Sequence, residues 1–181
     1  MGAAPVLREA VRADVPRIAE LMRRSVLELF PRFHDERETA AAAEYLTVPD
    51  VVLIDDGTYY VVHEDGGDII ACGGWSRRDK LYTGSGARPG EDRLLDPATE
   101  PARVRAMFVR GDRARRGLGR ALLGSCERAA RAAGFRSMVL MATLPGEPLY
   151  RAFGFREVAR ADVPLPDGTV LAGVSMEYPL A

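Results

Sequence analysis

Apolar residues recur along this chain in two rhythms, and the changes of rhythm mark out its elements. Ile18, Leu21, Met22, Ser25, Val26 and Leu29 fall three and four positions apart behind Asp14 as an N-cap and Pro16 in the first turn, which predicts a helix ending near Pro31. A second helix is expected over 35–45, and residues 5–10 read as a first strand. Residues 51–54, behind Pro49, read as a short strand or a loop, punctuated by Asp55-Asp56-Gly57. Two runs rich in β-branched and aromatic residues, 58–64 and 68–77, flank Asp65-Gly66-Gly67 and predict an antiparallel hairpin.

Residues 79–101 carry the cluster Gly84-Ser85-Gly86-Ala87-Arg88-Pro89-Gly90 together with Pro97 and Pro101, and read as a long loop. A strand over 102–109 follows. A helix then runs to Ala133 and stops at Gly134. Beyond it come a strand over 136–142, a short helix over 147–153, and a closing hairpin of 155–163 with 170–178 turned by Pro166-Asp167-Gly168.

With 181 residues and 47% hydrophobic content, the chain has the length and core of one domain spanning 1–181. No apolar run approaches the ~20 residues that cross a bilayer, and no basic-then-apolar leader opens the sequence, so a cytoplasmic protein without membrane partners is expected. Cys72 and Cys126 sit in apolar surroundings without metal-ligand spacing, and read as buried free thiols.

Charge changes this picture locally. The formal net charge is −1, yet residues 103–131 hold nine arginines against Asp112 and Glu127 alone. A confined basic field in a near-neutral chain suits one polyanionic small ligand and argues against nucleic acid, which needs a longer footprint. At its centre Arg115-Arg116-Gly117-Leu118-Gly119-Arg120 joins a strand to a helix. A helix start leaves its first amides without internal partners, and glycines let phosphate oxygens approach them. The turn lacks the Gly-Lys-Ser/Thr of a P-loop, and Leu122 stands where a dinucleotide fold needs its third glycine, so nucleotide hydrolysis and nicotinamide binding lose their support.

The stretch 109–123, with its core Ala114-Arg115-Arg116-Gly117-Leu118-Gly119, resembles the coenzyme A signature Gln/Arg-x-x-Gly-x-Gly/Ala of the GCN5-related N-acetyltransferases, with Ala114 in place of the usual long polar residue. Leu149-Tyr150-Arg151-Ala152-Phe153-Gly154-Phe155 resembles the later motif of the same family, a tyrosine on a short helix before a Gly-Phe turn. The resemblance implies an α/β (α+β) fold with a mixed, mostly antiparallel sheet of about six to seven strands and about four helices. It implies acetyl-CoA bound by the backbone of Met107, Phe108 and Val109 and by the turn Ala114, Arg115, Arg116, Gly117, Leu118, Gly119 and Arg120. It implies, too, direct acetyl transfer to an amine without a metal.

Such a transfer needs a deprotonated amine, a donor for the developing oxyanion near Phe108 or Val109, and a proton for the departing thiolate. Tyr150, whose phenol stays protonated at neutral pH, is expected to supply that proton. The base is not legible, with Glu38, Glu44, His63 and Glu100 as candidates. Acceptor selection is expected from residues 30–34, from Trp75 to Arg78 and from the 79–101 loop, with Trp75, Arg77, Arg78 and Tyr82 as candidates to hold an anionic or aromatic acceptor. A small-molecule amine is the leading acceptor. The alternatives are a protein N-terminus or lysine, or a non-catalytic acyl-CoA sensor. An edge strand in the closing hairpin leaves a homodimer open.

Overall fold

The computed structural model describes residues 2–81 and 93–180. Seven strands form one sheet in the order β1-β2-β3-β4-β5-β7-β6. In chain order they are β1 (Val6–Glu9), β2 (Tyr59–His63), β3 (Ile69–Ser76), β4 (Ala102–Val109), β5 (Ser137–Thr143), β6 (Arg156–Pro164) and β7 (Val170–Pro179). Five helices accompany them: α1 (Val15–Leu29), α2 (Glu36–Tyr45), α3 (Val51–Asp55), α4 (Leu118–Ala132) and α5 (Glu147–Phe153). Every pairing is antiparallel except β4 with β5, so the sheet is mixed and mostly antiparallel.

β2 and β3 are buried nearly throughout because helices cover both faces of the sheet. Alternation along β2 makes this plain. Tyr60 and Val62 pack with Leu122, Leu123 and Cys126 of α4, whereas Tyr59 and Val61 pack with Ile18, Leu21 and Met22 of α1. A third cluster joins Val26, Phe30 and the alanines of α2 to Val163, Leu165 and Leu171 of the closing hairpin. No described helix is long and apolar enough to cross a membrane.

Two local expectations are corrected. Residues 51–54 form neither strand nor loop: they belong to α3, a helix beyond the four expected. Their β-branched composition favours a strand, but Asp50 accepts the Val52 amide at 3.1 Å as an N-cap, and Gly57 at φ +71° closes the turn. Asp14 does not cap α1 with its side chain. A 3-10 turn over Arg12–Asp14 precedes the helix, and the Asp14 carboxylate folds back to accept the Val11 amide at 2.9 Å and to pair with Arg8 at 2.7 Å and Arg17 at 3.1 Å. Of the long loop, Tyr82 and the glycine cluster lie outside the described residues.

Candidate active site

The centre of the sheet is open. β4 and β5 pair only at Ala102 with Met138 and Arg103 with Val139, and beyond those positions the strands part. The cause is visible in β4. Arg105 pairs with Gly74 and Phe108 with Cys72, so Ala106 and Met107 together face Gly73 alone, a bulge with Ala106 at φ +51°. Gly73 leaves room for Met107 there, since a Cβ would meet its side chain and force it to shift. The Tyr59 hydroxyl donates to the Ala106 carbonyl at 2.7 Å and pins the bulge from the α1 face.

A cavity of about 690 Å³ fills the opening, lined by Val104 to Val109 of β4 and by Leu140, Met141 and Thr143 of β5. It continues to Ala114, Arg115, Gly117, Leu118, Gly119 and Arg120 at one end and to Phe30, Arg32, Phe33, Leu46 and Leu81 at the other. Tyr150 lines it as well. Of the residues expected to hold a cofactor, Arg116 alone stands outside this lining, exposed on the turn.

The two glycines of the turn serve different ends. Gly117, at φ +82°, is the N-cap of α4, and nothing lies within 4 Å of where its Cβ would be. Its backbone conformation favours glycine and leaves open space before the first-turn amides of α4. Gly119 is buried, and a Cβ on it would sit 2.6 Å from Leu149 Cδ2, so it sets the close approach of α4 to α5. Arg115 is itself left-handed at φ +61°.

Most of the basic field is neutralised by acids, of which Asp79, Asp50 and Glu64 are distant in sequence. Arg103 pairs with Asp79, Arg105 with Asp50, Arg110 with Asp112, Arg113 with Glu64 and Asp112, and Arg131 with Glu127. Arg115, Arg116 and Arg120 have no acidic partner among the described residues, and the Arg120 guanidinium lies 5.8 Å from the centre of the Phe153 ring. Arg128, on α4, meets only the Ser125 hydroxyl at 3.2 Å, so among the described residues three of the four unmatched arginines of the field collect at the glycine turn.

Tyr150 projects from α5 into the opposite wall. It is 8% exposed, its ring meets Phe155 edge-on at 5.9 Å, and its hydroxyl has no hydrogen bond to a described residue. Burial pushes the phenol above its ordinary value, so it keeps its proton at neutral pH. A Cβ at Gly146 would come within 3.1 Å of the tyrosine ring, so that glycine makes room for it.

None of the four candidate bases lines the cavity. Glu38 accepts the Asp35 amide and faces His34 Nδ1 at 3.1 Å, and Glu44 is exposed. His63 Nδ1 lies 3.3 Å from the Glu64 carbonyl. Glu100 is held at about 2 by Arg93 and the Asp96 amide. Trp75 is buried against Phe135, Arg77 lies over the Trp75 ring, and Arg78 pairs with Asp56, all outside the lining. Burial lifts both cysteine thiols to about 12, which removes them as nucleophiles. No metal-binding cluster occurs among the described residues.

Sequence reasoning missed how α1 holds the turn. The Ser25 hydroxyl donates to the Val109 carbonyl at 2.7 Å, and Glu28 accepts the Gly111 amide at 2.7 Å. A signal existed: Ser25 is a polar residue on the buried face of an amphipathic helix.

The model of the acetyltransferase (GNAT) family matches residues 18–155 of the chain. The chain belongs to that family. GNAT chains of known structure share its fold over nearly their whole length. A GCN5-related N-acetyltransferase from Rhodopseudomonas palustris (described as "Aminotransferase, Class-II") has a TM-score of 0.73 at 17% identity, covering 99% of this chain and 98% of that one. PaiA N-acetyltransferase from Thermoplasma acidophilum, solved with coenzyme A, has a TM-score of 0.69 at 12% identity, covering 98% and 99%. YncA from Salmonella typhimurium, a putative acetyltransferase solved with acetyl-CoA, has a TM-score of 0.63 at 20% identity, covering 99% and 95%. No curated protein matches the sequence. As a GNAT enzyme the chain is an acyltransferase whose cosubstrate is acetyl-CoA. The open cradle at Gly117 and the unpaired arginines beside it fit the phosphates of that molecule.

Proposed function

We propose that this GNAT protein, acting as one domain, transfers the acetyl group of acetyl-CoA directly to a small-molecule primary amine. The observation that carries the reading is that one cavity joins the glycine turn, the bulged edge of β4 and the Tyr150 side chain. Bound acetyl-CoA supplies the acetyl group as a thioester and leaves as the thiol.

The chain's own residues then have distinct tasks. The first-turn amides of α4, with Arg115 and Arg120, hold the phosphates. Met107, Phe108 and Val109, on the stretch of β4 that parts from β5, offer backbone groups to the extended arm of the cosubstrate. Tyr150 keeps a proton for the departing sulfur. Support for a small acceptor is the recess at the far end of the cavity, walled by Phe30, Phe33 and Leu46. β6 forms an outer edge of the sheet and is the surface a homodimer would use.

The test is release of free thiol from acetyl-CoA across a panel of small amines and of peptides bearing a free N-terminus or lysine. Turnover with small amines is the expected result. Turnover restricted to peptides would move the acceptor to protein, and thermal stabilisation by acetyl-CoA without turnover on any acceptor would leave an acyl-CoA sensor.

A further inference from the structure

The acceptor end of the cavity carries an arginine with no acidic partner among the described residues. Among the described residues, four arginines line the cavity: Arg32, Arg105, Arg115 and Arg120. Arg115 and Arg120 stand at the glycine turn. Arg105 is 2% exposed and lies 3.2 Å from Asp50 Oδ2, so its charge is answered within the fold. Arg32 is exposed, and it makes no ion pair or hydrogen bond through its side chain with a described residue. No carboxylate lines the cavity among the described residues.

Arg32 is also held in place from below. It ends the 3-10 turn Phe30–Arg32, where Pro31 fixes the backbone and the Phe33 and His34 amides both donate to the Phe30 carbonyl at 2.9 Å. The His34 ring stacks on Phe30 at 5.2 Å, and its Nδ1 lies 3.1 Å from Glu38, which also accepts the Asp35 amide and so ties the turn to the start of α2. Beside Arg32, the 49%-exposed Phe33 gives the recess an uncovered aromatic wall, with Leu46 and Leu81 adding to it. A guanidinium carried on a stiff turn next to an exposed ring offers an anion a charge-assisted partner, and it repels a second ammonium.

Resting on the acetyl-transfer reading above, we infer that the acceptor is a primary amine with an anionic group on an apolar or aromatic body, and that Arg32 selects it. Polyamines are disfavoured, since their remaining ammonium groups would meet Arg32.

Phenylalanine and phenethylamine differ only in the carboxylate, and spermidine supplies the cationic arm. Thiol release is measured with each on the wild-type protein and on Arg32→Gln, Arg32→Lys and Arg32→Glu. The expected wild-type kcat/KM for phenylalanine exceeds that for phenethylamine by about tenfold or more. That ratio collapses in Arg32→Gln, is partly kept in Arg32→Lys, and inverts in Arg32→Glu. The rise in Tm with acetyl-CoA stays at the wild-type level in all three variants, which separates acceptor selection from cosubstrate binding. Equal or greater wild-type activity on spermidine, activity confined to peptides, no acetylation of phenylalanine by a protein that acetyl-CoA stabilises, or an unchanged ratio in Arg32→Glu would each overturn the inference. Absence of any stabilisation by acetyl-CoA would instead strike the acetyl-transfer reading beneath it.

Discussion

At the scale of single residues, Tyr150 combines a packing contact with a proton, and one atom separates them. Tyr150→Phe keeps the ring against Phe155 and removes the hydroxyl, so acetyl-CoA affinity and Tm are expected to hold while turnover falls by about tenfold or more, within the range a positioned proton donor supplies. Tyr150→Ala should also lower stability by about 3 kcal/mol or more through the cavity it leaves, read by denaturant unfolding. Asp14 offers a prediction in pH. Arg8, the Val11 amide and Arg17 hold its buried carboxylate at about 2, against an ordinary value of 3.8. Because the folded value is the lower one, the stabilisation is complete above about 3.8 and is lost as the pH falls toward 2. It is worth on the order of 2 kcal/mol, and Asp14→Asn should remove that much at neutral pH and flatten the acid limb of a stability-against-pH curve. Neither role of Asp14 was legible in the sequence, where it reads as a helix cap. The arginine field was legible as a field. Its partition was not, since Glu64, Asp79 and Asp50 are brought to it only by the sheet.

Among the elements, the turn into α4 was the most readable, because a glycine pair between a strand and an amphipathic helix leaves few geometries open. What the sequence could not reveal is that its two glycines answer to different constraints. Gly117→Asp adds a negative charge in open space at a left-handed position that aspartate tolerates better than most residues. The protein should fold, and the rise in Tm with acetyl-CoA should disappear; an undiminished rise would rule out a phosphate site there. Gly119→Ala should instead lower Tm without ligand, since its methyl group meets Leu149 across the α4 and α5 contact. The helix α3 was missed for a general reason. Val51-Val52-Leu53-Ile54 is too short to reveal its period, and in such a run the cap at Asp50 outweighs side-chain preference. The strand hairpins were foreseen to within a residue or two, as their turns carry glycines at positive φ, Gly66, Gly67 and Gly168.

Across the whole molecule, the sheet behaves as two halves joined at Ala102 and Arg103, and the space between them is where substrates meet. Strand order follows from hairpins and one crossover, but the parting of β4 from β5 depends on a bulge that no local pattern announces. Helix α1 crosses this divide. Through Ser25 and Glu28 it grips the chain on either side of Arg110, and a turn further on it runs into the segment bearing Arg32 and Phe33. The donor and acceptor ends of the cavity therefore hang from one lever, and a ligand that stills one end lowers the entropic cost of seating its fellow at the other. Calorimetry should find the acceptor binding more tightly to the coenzyme A complex than to the free protein, and coenzyme A gaining the same factor from the acceptor. In Ser25→Ala combined with Glu28→Ala, the two ligands should bind as strangers.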